Sequence, residues 1–173
     1  VTINGVKWGR GIGWMLLACA NFLLHTRDNN DVSTTMRSEI TSLLDLQLVN
    51  LVDYQRDTGA FGNVVNLHSS PDETSLTSVF VFSVGAAKFL GISLSPNVKD
   101  AAGTAWMWLN GRTVDGLSVS DTCGPQNMST DVDDYDTNVS LVSGPGPALM
   151  LWASIGANLL SLAVLSNRIG NCA

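Results

Sequence analysis

Three long runs of the chain are apolar on nearly every helical face. They cover residues 13–24, 74–90 and 147–165, and a helix that is apolar all round is typical of a position surrounded by other elements. Two further runs, 32–54 and 97–109, place apolar side chains at helical spacing against polar ones, which predicts helices with one face in solvent. The pattern therefore predicts three inner helices that alternate with two outer helices.

Signals at the ends of these runs support the assignment. Asp72 and Glu73 precede the second inner run, where the helix dipole favours negative charge. Gly91 is placed to end that helix, and Ser95 followed by Pro96 is a typical helix start. A glycine-bearing segment follows each outer run, at residues 54–65 and 110–120, and we expect both to form turns or small β-hairpins.

The order of inner helix, outer helix and hairpin repeats with a period of about 65 to 70 residues, which is typical of stacked helical hairpins. We therefore predict a single all-α domain over residues 1–173, in which a ring of inner helices is surrounded by outer helices and connected by short β-hairpins. In such a ring the N-terminal ends of the inner helices meet on one rim, where their free N–H groups favour anions. Arg10 and Trp14 would lie there with the clusters 72–75 and 143–146.

Composition narrows the class of ligand. The 173 residues carry a net charge of −6, with only nine lysines and arginines and no basic stripe, so we expect no nucleic-acid partner. Residues 148–165 are uncharged and nearly long enough to span a bilayer. They also contain Gly156, Asn158 and small polar residues, which an inner helix explains without lipid, and we expect no membrane partner.

The cysteines and glycosylation sequons bear on the cellular location. Cys19 lies within an apolar run and is expected to be a buried thiol, whereas Cys123 and Cys172 could pair in a secreted protein. Asn127 and Asn138 each begin an N-glycosylation sequon. These features favour an extracellular protein.

Other polar groups give weaker signals. His25 and His68 have no carboxylate at useful spacing and are expected to be surface or capping histidines. The acidic stretch 131–136 lacks the glycine and distal glutamate of an EF-hand and is interpreted as a solvated loop. We expect no metal site and no cofactor.

Five motifs along the chain occur in the order of a known family. The sequence "KWGRGIGW" is similar to the W-x-R-G-N-G-W signature of unsaturated uronyl hydrolases of the rhamnogalacturonyl hydrolase type. Four later segments resemble that family as well: "LVDYQRDTGAFGNVV", "DETSLTSVFVFSVGAAKFLGI", "DGLSVSDTCGP" and "GPGPALMLWAS". The resemblance covers nearly the whole chain and the C-terminal half of the family's six-hairpin (α/α)6 toroid.

The resemblance implies a substrate that ends in a 4,5-unsaturated uronic acid. Carried over by position, Arg10 would hold the uronate carboxylate, Trp14 would stack on the sugar ring, and Trp8 would form a supporting wall. The family's general acid/base aspartate belongs to the N-terminal half, so no catalytic residue is assigned here. The chain starts at Val1 without an initiator methionine, and we expect something upstream to have been removed or to be absent.

Alternatives remain open for the motif and for the chain. Ile12 stands where the family pattern has asparagine, and Phe61 where it commonly has tryptophan. Arg10 could serve only as a cation–π brace between tryptophans, and the motif's glycines could serve only a tight turn. A half-ring would expose apolar helix flanks, which either the missing N-terminal half or a homo-oligomer would cover. The chain is thus a glycosidase part completed by that half, or a non-catalytic fragment that self-assembles or binds carbohydrate.

Overall fold

A computed structural model of the chain describes residues 6–114, 118–123, 139–140 and 146–170. The predicted alternation of helices and the all-α class are confirmed. The helices are α1 (Gly9–Thr26), α2 (Thr34–Val52), α3 (Thr74–Phe89), α4 (Pro96–Asn110) and α5 (Gly146–Gly170). The described residues between the helices form three antiparallel pairs of two-residue strands. These are β1 (Phe61–Gly62) with β2 (Asp72–Glu73), β3 (Thr113–Val114) with β4 (Ser118–Val119), and β5 (Thr122–Cys123) with β6 (Val139–Ser140).

The three inner helices α1, α3 and α5 run in the same direction. Near the start of α1, Gly13 faces Leu76 of α3, and farther along Ala20 packs against Phe82 and Ala86. Gly85 of α3 likewise lies against Gly156 of α5. Helix α3 is the middle member, and its residues 74–87 are all buried. The N-terminal ends of the three inner helices therefore share one rim, as the sequence predicts.

Outer helix α2 buries less of its apolar surface than its pattern predicts. Its buried positions are Leu44, Leu48 and Leu51, which recur at helical spacing and face the core. Leu43 and Leu46, predicted to belong to the same apolar face, are 37% and 59% exposed. The described helices are arranged in an arc, and α1 and α2 form one end of it. Leu43 and Leu46 therefore lie on a side of α2 that no other described element covers.

The predicted start of one helix is wrong, whereas the predicted turn segments are present. Helix α1 begins at Gly9 and not at residue 13, so the motif's glycines lie in its first turns rather than in a tight turn before it. Residues 54–65 contain a turn, as predicted, in which the Gly59 N–H donates to the Arg56 carbonyl oxygen at 2.8 Å. The strand pairing extends beyond this segment, because Phe61 pairs with Glu73 across a longer loop. The second hairpin forms within residues 110–120 as predicted, whereas the pairing of β5 with β6 was not predicted.

Other predictions have mixed outcomes. Cys19 is a buried free thiol, as expected, and burial raises its pKa above the ordinary value. Within the described ranges, no helix is both long and apolar enough to cross a bilayer. Some predictions fall outside the described residues: the sequons at Asn127 and Asn138, the acidic stretch 131–136, the rim residues 143–145, and the Cys123–Cys172 pairing.

Candidate functional site

A cleft opens on the rim between the starts of the inner helices. It has a volume of about 130 Å³, and its lining combines one arginine and one tryptophan with small or apolar side chains. The lining residues are Arg10, Gly13, Trp14, Ser75, Val79 and Leu149. Two of the three predicted substrate-binding residues, Arg10 and Trp14, therefore share one concave surface.

The glycine spacing of the motif explains how α1 presents these side chains. A Cβ at Gly9 would lie 2.9 Å from the carbonyl oxygen of Gly62, and one at Gly13 would touch Leu76. These two glycines form one helical face, which lets α1 pack closely against β1 and α3. Arg10 and Trp14, also four residues apart, lie on the adjacent face of the helix, which lines the cleft.

The Arg10 guanidinium is held by two residues at the start of α3. Its Nε donates a hydrogen bond to Ser75 Oγ at 3.3 Å, and its Nη2 lies 3.6 Å from Glu73 Oε1. The Arg10 side chain is 13% exposed, whereas the Glu73 side chain is fully buried. An arginine charge therefore stands at the cleft wall with a buried carboxylate behind it.

The third predicted residue, Trp8, supports Trp14. The two indole rings meet edge to face, with centroids 5.6 Å apart and an interplanar angle of 73°. Trp8 occupies the N-cap position of α1, and its backbone forms a bridge with Val64. Trp14 is 59% exposed, so one of its ring faces is available to stack on a sugar.

Ile12 and Phe61, which depart from the resembled pattern, lie away from the cleft. Ile12 lines a different cavity of about 160 Å³ with Lys7 and Tyr54, where Lys7 Nζ donates to Tyr54 Oη at 2.6 Å. Phe61 is fully buried and packs edge to face on Phe80 with ring centroids 4.9 Å apart. Neither residue lines the cleft beside Arg10.

The structure also places each histidine outside the cleft. His25 lies in the last turn of α1, at the opposite end from the rim, where its Nδ1 is 2.8 Å from the Asn21 carbonyl oxygen. His68 is exposed and lines a separate pocket of about 250 Å³ with Arg56 and Asp57. Both positions agree with the predicted surface or capping roles.

Sequence reasoning predicted Glu73 at the rim but missed its contact with Arg10, and it missed Asp121 altogether. The sequence predicts Glu73 as an acid at the start of an inner helix and as part of a rim cluster, whereas its contact with Arg10 depends on tertiary packing. Asp121 has a φ of +54°, and its carbonyl oxygen accepts the Thr74 N–H at 2.8 Å. Its carboxylate pairs with Arg112 at 3.1 Å. Asp121 lies within the segment "DGLSVSDTCGP", but the resemblance of that segment did not single it out as a rim residue.

The chemistry available in the cleft is that of anion and ring recognition. A guanidinium suits a carboxylate because it offers a planar fork of donors, and the neighbouring indole offers an apolar face. No carboxylate side chain lines the cleft among the described residues, and no group of three or more metal-ligating side chains occurs in that part of the chain.

Several solved structures have a fold similar to that of this chain. Among solved structures, a possible member of the GH105 family from Klebsiella pneumoniae superposes with a TM-score of 0.81 at 18% identity, covering 94% of this chain and 42% of that one. A glycosyl hydrolase family 88 protein from Bacteroides vulgatus gives a TM-score of 0.71 at 19% identity, covering 92% and 45%. A polysaccharide lyase gives 0.68 at 20% identity, covering 94% and 45%.

These likenesses show the fold, and the chain spans less than half the length of each of these solved structures. A search of curated proteins finds no match to the sequence. The model of one protein family matches residues 2–159, which is most of the chain. On that match, and in agreement with the motifs and the helical arc, the chain belongs to glycosyl hydrolase family 88.

Proposed function

We propose that this chain binds the unsaturated uronic acid at the end of an oligosaccharide and forms one side of a glycosidase site. The observation that carries the proposal is the placement of Arg10 beside the exposed Trp14 in the rim cleft. Arg10 would receive the uronate carboxylate in charge-assisted hydrogen bonds. Trp14, supported by Trp8, would stack on the ring. An acidic oligosaccharide is therefore the proposed ligand.

The family's chemistry needs a group that no described residue of this cleft supplies. An aspartate protonates the vinyl ether of the unsaturated sugar and directs water onto the neighbouring carbon, and the resulting hemiketal opens. The described carboxylate nearest to Arg10 is Glu73, which is fully buried and already accepts hydrogen bonds from Ser75 and Leu76. We therefore propose that the acid comes from a further segment, equivalent to the N-terminal half of the family fold.

Exposed apolar residues support a partner on both flanks of the arc. Met15 of α1 and Leu46 of α2 are 50% and 59% exposed on one flank, and Leu151 of α5 is 61% exposed on the other. In a closed toroid the remaining helical hairpins would cover such residues. The proposed partner is that missing half, and a homo-oligomer of this chain is the alternative.

The activity test follows the ultraviolet absorbance of the double bond in an unsaturated uronyl disaccharide. We expect the absorbance to fall only in preparations that contain the completing segment, and not with the chain alone. A saturated uronyl disaccharide is the control and should give no change. A completed assembly that leaves the absorbance constant would contradict the proposed reaction.

A second candidate function is carbohydrate binding without turnover, by a self-assembled form of this chain. It is favoured by the lining of the cleft, which offers Arg10 and Trp14 but no carboxylate among the described residues. Saturable sugar binding by an oligomer of this chain that shows no hydrolysis would select this function. For either function we propose an exported protein, on the basis of the two sequons.

A further inference from the structure

We propose that Glu73 and Ser75 are positioning residues for Arg10 and set how strongly the cleft prefers an acidic sugar to a neutral one. The inference rests on the proposed binding of a uronate by Arg10. Neither residue is assigned a contact with the sugar carboxylate. They would act by fixing the guanidinium before the ligand arrives.

The Glu73 carboxylate is rigid because both its backbone and its side chain are held. Its backbone belongs to β2 and pairs with Phe61, and its carbonyl oxygen accepts a hydrogen bond from Thr77 Oγ1 at 2.7 Å. Its Oε2 caps α3 by accepting the N–H groups of Ser75 at 2.8 Å and Leu76 at 3.1 Å. Oε1 is the oxygen that lies near Arg10.

Ser75 connects the carboxylate to the arginine. Its hydroxyl donates to Glu73 Oε2 at 2.5 Å and accepts from Arg10 Nε at 3.3 Å. Donation to the carboxylate directs the hydroxyl hydrogen away from Arg10 and leaves an oxygen lone pair for the guanidinium. Glu73 therefore fixes the orientation of Ser75 as well as attracting Arg10 directly.

This arrangement reduces the cost of binding an anion. A free arginine side chain has many rotamers, and ordering it on binding costs affinity. Here two residues of α3 order the guanidinium of α1 in advance, at a site where the side chain is 13% exposed. Because the preference for a carboxylate depends on a planar fork of donors, a loosened Arg10 would lose that preference first.

The test compares affinities for two disaccharides, an unsaturated uronyl disaccharide and its carboxyl-reduced neutral analogue, by calorimetric titration. In Glu73→Gln the amide oxygen can still cap α3, while the amide nitrogen faces Arg10 and repels it. We expect the ratio of acidic to neutral affinity to fall about tenfold, on the scale of one charge-assisted hydrogen bond, with the neutral affinity unchanged. A purely structural role would lower both affinities together.

Asp72→Asn is the matched control. Asp72 precedes Glu73, but its carboxylate pairs with Arg56 at 2.7 Å and accepts from Thr58 at 2.8 Å, so removing its charge should leave the ratio unchanged. Ser75→Ala removes the bridging hydroxyl and should lower the ratio as well. This variant decides the question if Glu73→Gln does not fold.

Two negative outcomes are distinguishable. A wild-type chain that binds both disaccharides equally, or neither, would contradict the proposed function itself. A wild-type preference for the acidic sugar that persists in folded Ser75→Ala, and in Glu73→Gln where that variant folds, would overturn the positioning role alone.

Discussion

At the residue scale, Arg10 and Trp14 have separable roles. Trp14 is 59% exposed and offers an apolar ring, so Trp14→Ala should weaken binding of an acidic disaccharide and of its neutral analogue by the same factor. With about 0.5–1.5 kcal/mol for an aromatic pair as a guide, we expect a loss of roughly 2- to 13-fold in affinity. Titration with both sugars measures the effect.

Met15→Ala is the control for Trp14→Ala. Met15 follows Trp14 on α1 and is 50% exposed, but it does not line the cleft. Its removal should leave both affinities unchanged. If Trp14→Ala weakened only the acidic sugar, the assignment of ring stacking to Trp14 would be wrong.

Cys19 provides a prediction about reactivity at the same scale. Burial raises the pKa of its thiol, and only the thiolate is nucleophilic. We expect Cys19 to react slowly with a maleimide in the folded protein and rapidly in concentrated urea. Peptide mass mapping would locate the label, and rapid modification of Cys19 under native conditions would contradict its burial.

Sequence reasoning found the residues that one motif carries and missed those that depend on tertiary contacts. Arg10 and Trp14 were predicted at the rim because they lie at the start of an inner helix, and the structure places them in one cleft. The contact between Glu73 and Arg10 could not be predicted, because it depends on how closely α1 packs on α3. That approach depends in turn on Gly9 and Gly13, whose packing role the sequence did not reveal.

At the scale of elements, periodicity predicted the helices better than their ends. The apolar pattern of α1 starts at residue 13, but the helix starts at Gly9. Glycine disfavours a helix, but here Gly9 lets the first turn pack against β1. The pairing of β1 with β2 was missed for a related reason. Its second strand is the acidic dipeptide Asp72–Glu73, which has no strand-like pattern.

The contact between α3 and α5 gives a stability prediction. A Cβ at Gly156 would lie 2.5 Å from Phe82 Cα, so Gly156→Ala must push the two helices apart. We expect a loss of about 1–3 kcal/mol in the free energy of unfolding, measured by urea titration.

Gly103→Ala is the control, because it makes the same change from glycine to alanine at a position without crowding. Gly103 lies in the interior of α4, and a Cβ there would meet nothing within 4 Å. Because alanine favours a helix more than glycine does, this variant should gain up to about 1 kcal/mol. Equal effects of the two substitutions would contradict the close packing of α3 and α5.

At the scale of the whole molecule, the described helices form an arc with apolar flanks. The chain spans 42% of the Klebsiella structure that it resembles, and Leu46 and Leu151 are exposed at opposite flanks. We expect native mass spectrometry to find the chain bound to additional hairpins or to copies of itself. A stable monomer at micromolar concentration would contradict the proposal that these flanks are covered.

Variants on the two flanks test whether the assembly forms through these surfaces. Leu46→Glu or Leu151→Glu would place a charge in the proposed contact and should dissociate the assembly. Met107→Glu is the control, since Met107 of outer helix α4 is 67% exposed and lies outside both flanks. If the assembly persisted in Leu46→Glu and in Leu151→Glu, as expected for Met107→Glu, the contact would involve another surface.

Calorimetric titration with an unsaturated uronyl disaccharide examines directly whether Arg10 receives a uronate at the rim. We expect saturable binding by the wild-type chain and none by Arg10→Ala. Arg27→Ala is the matched control, since it removes the same charge beyond the opposite end of α1, where the Arg27 side chain is 49% exposed, and should bind like the wild type. Unchanged affinity in Arg10→Ala would contradict the claim and leave Arg10 as a structural brace between α1 and α3.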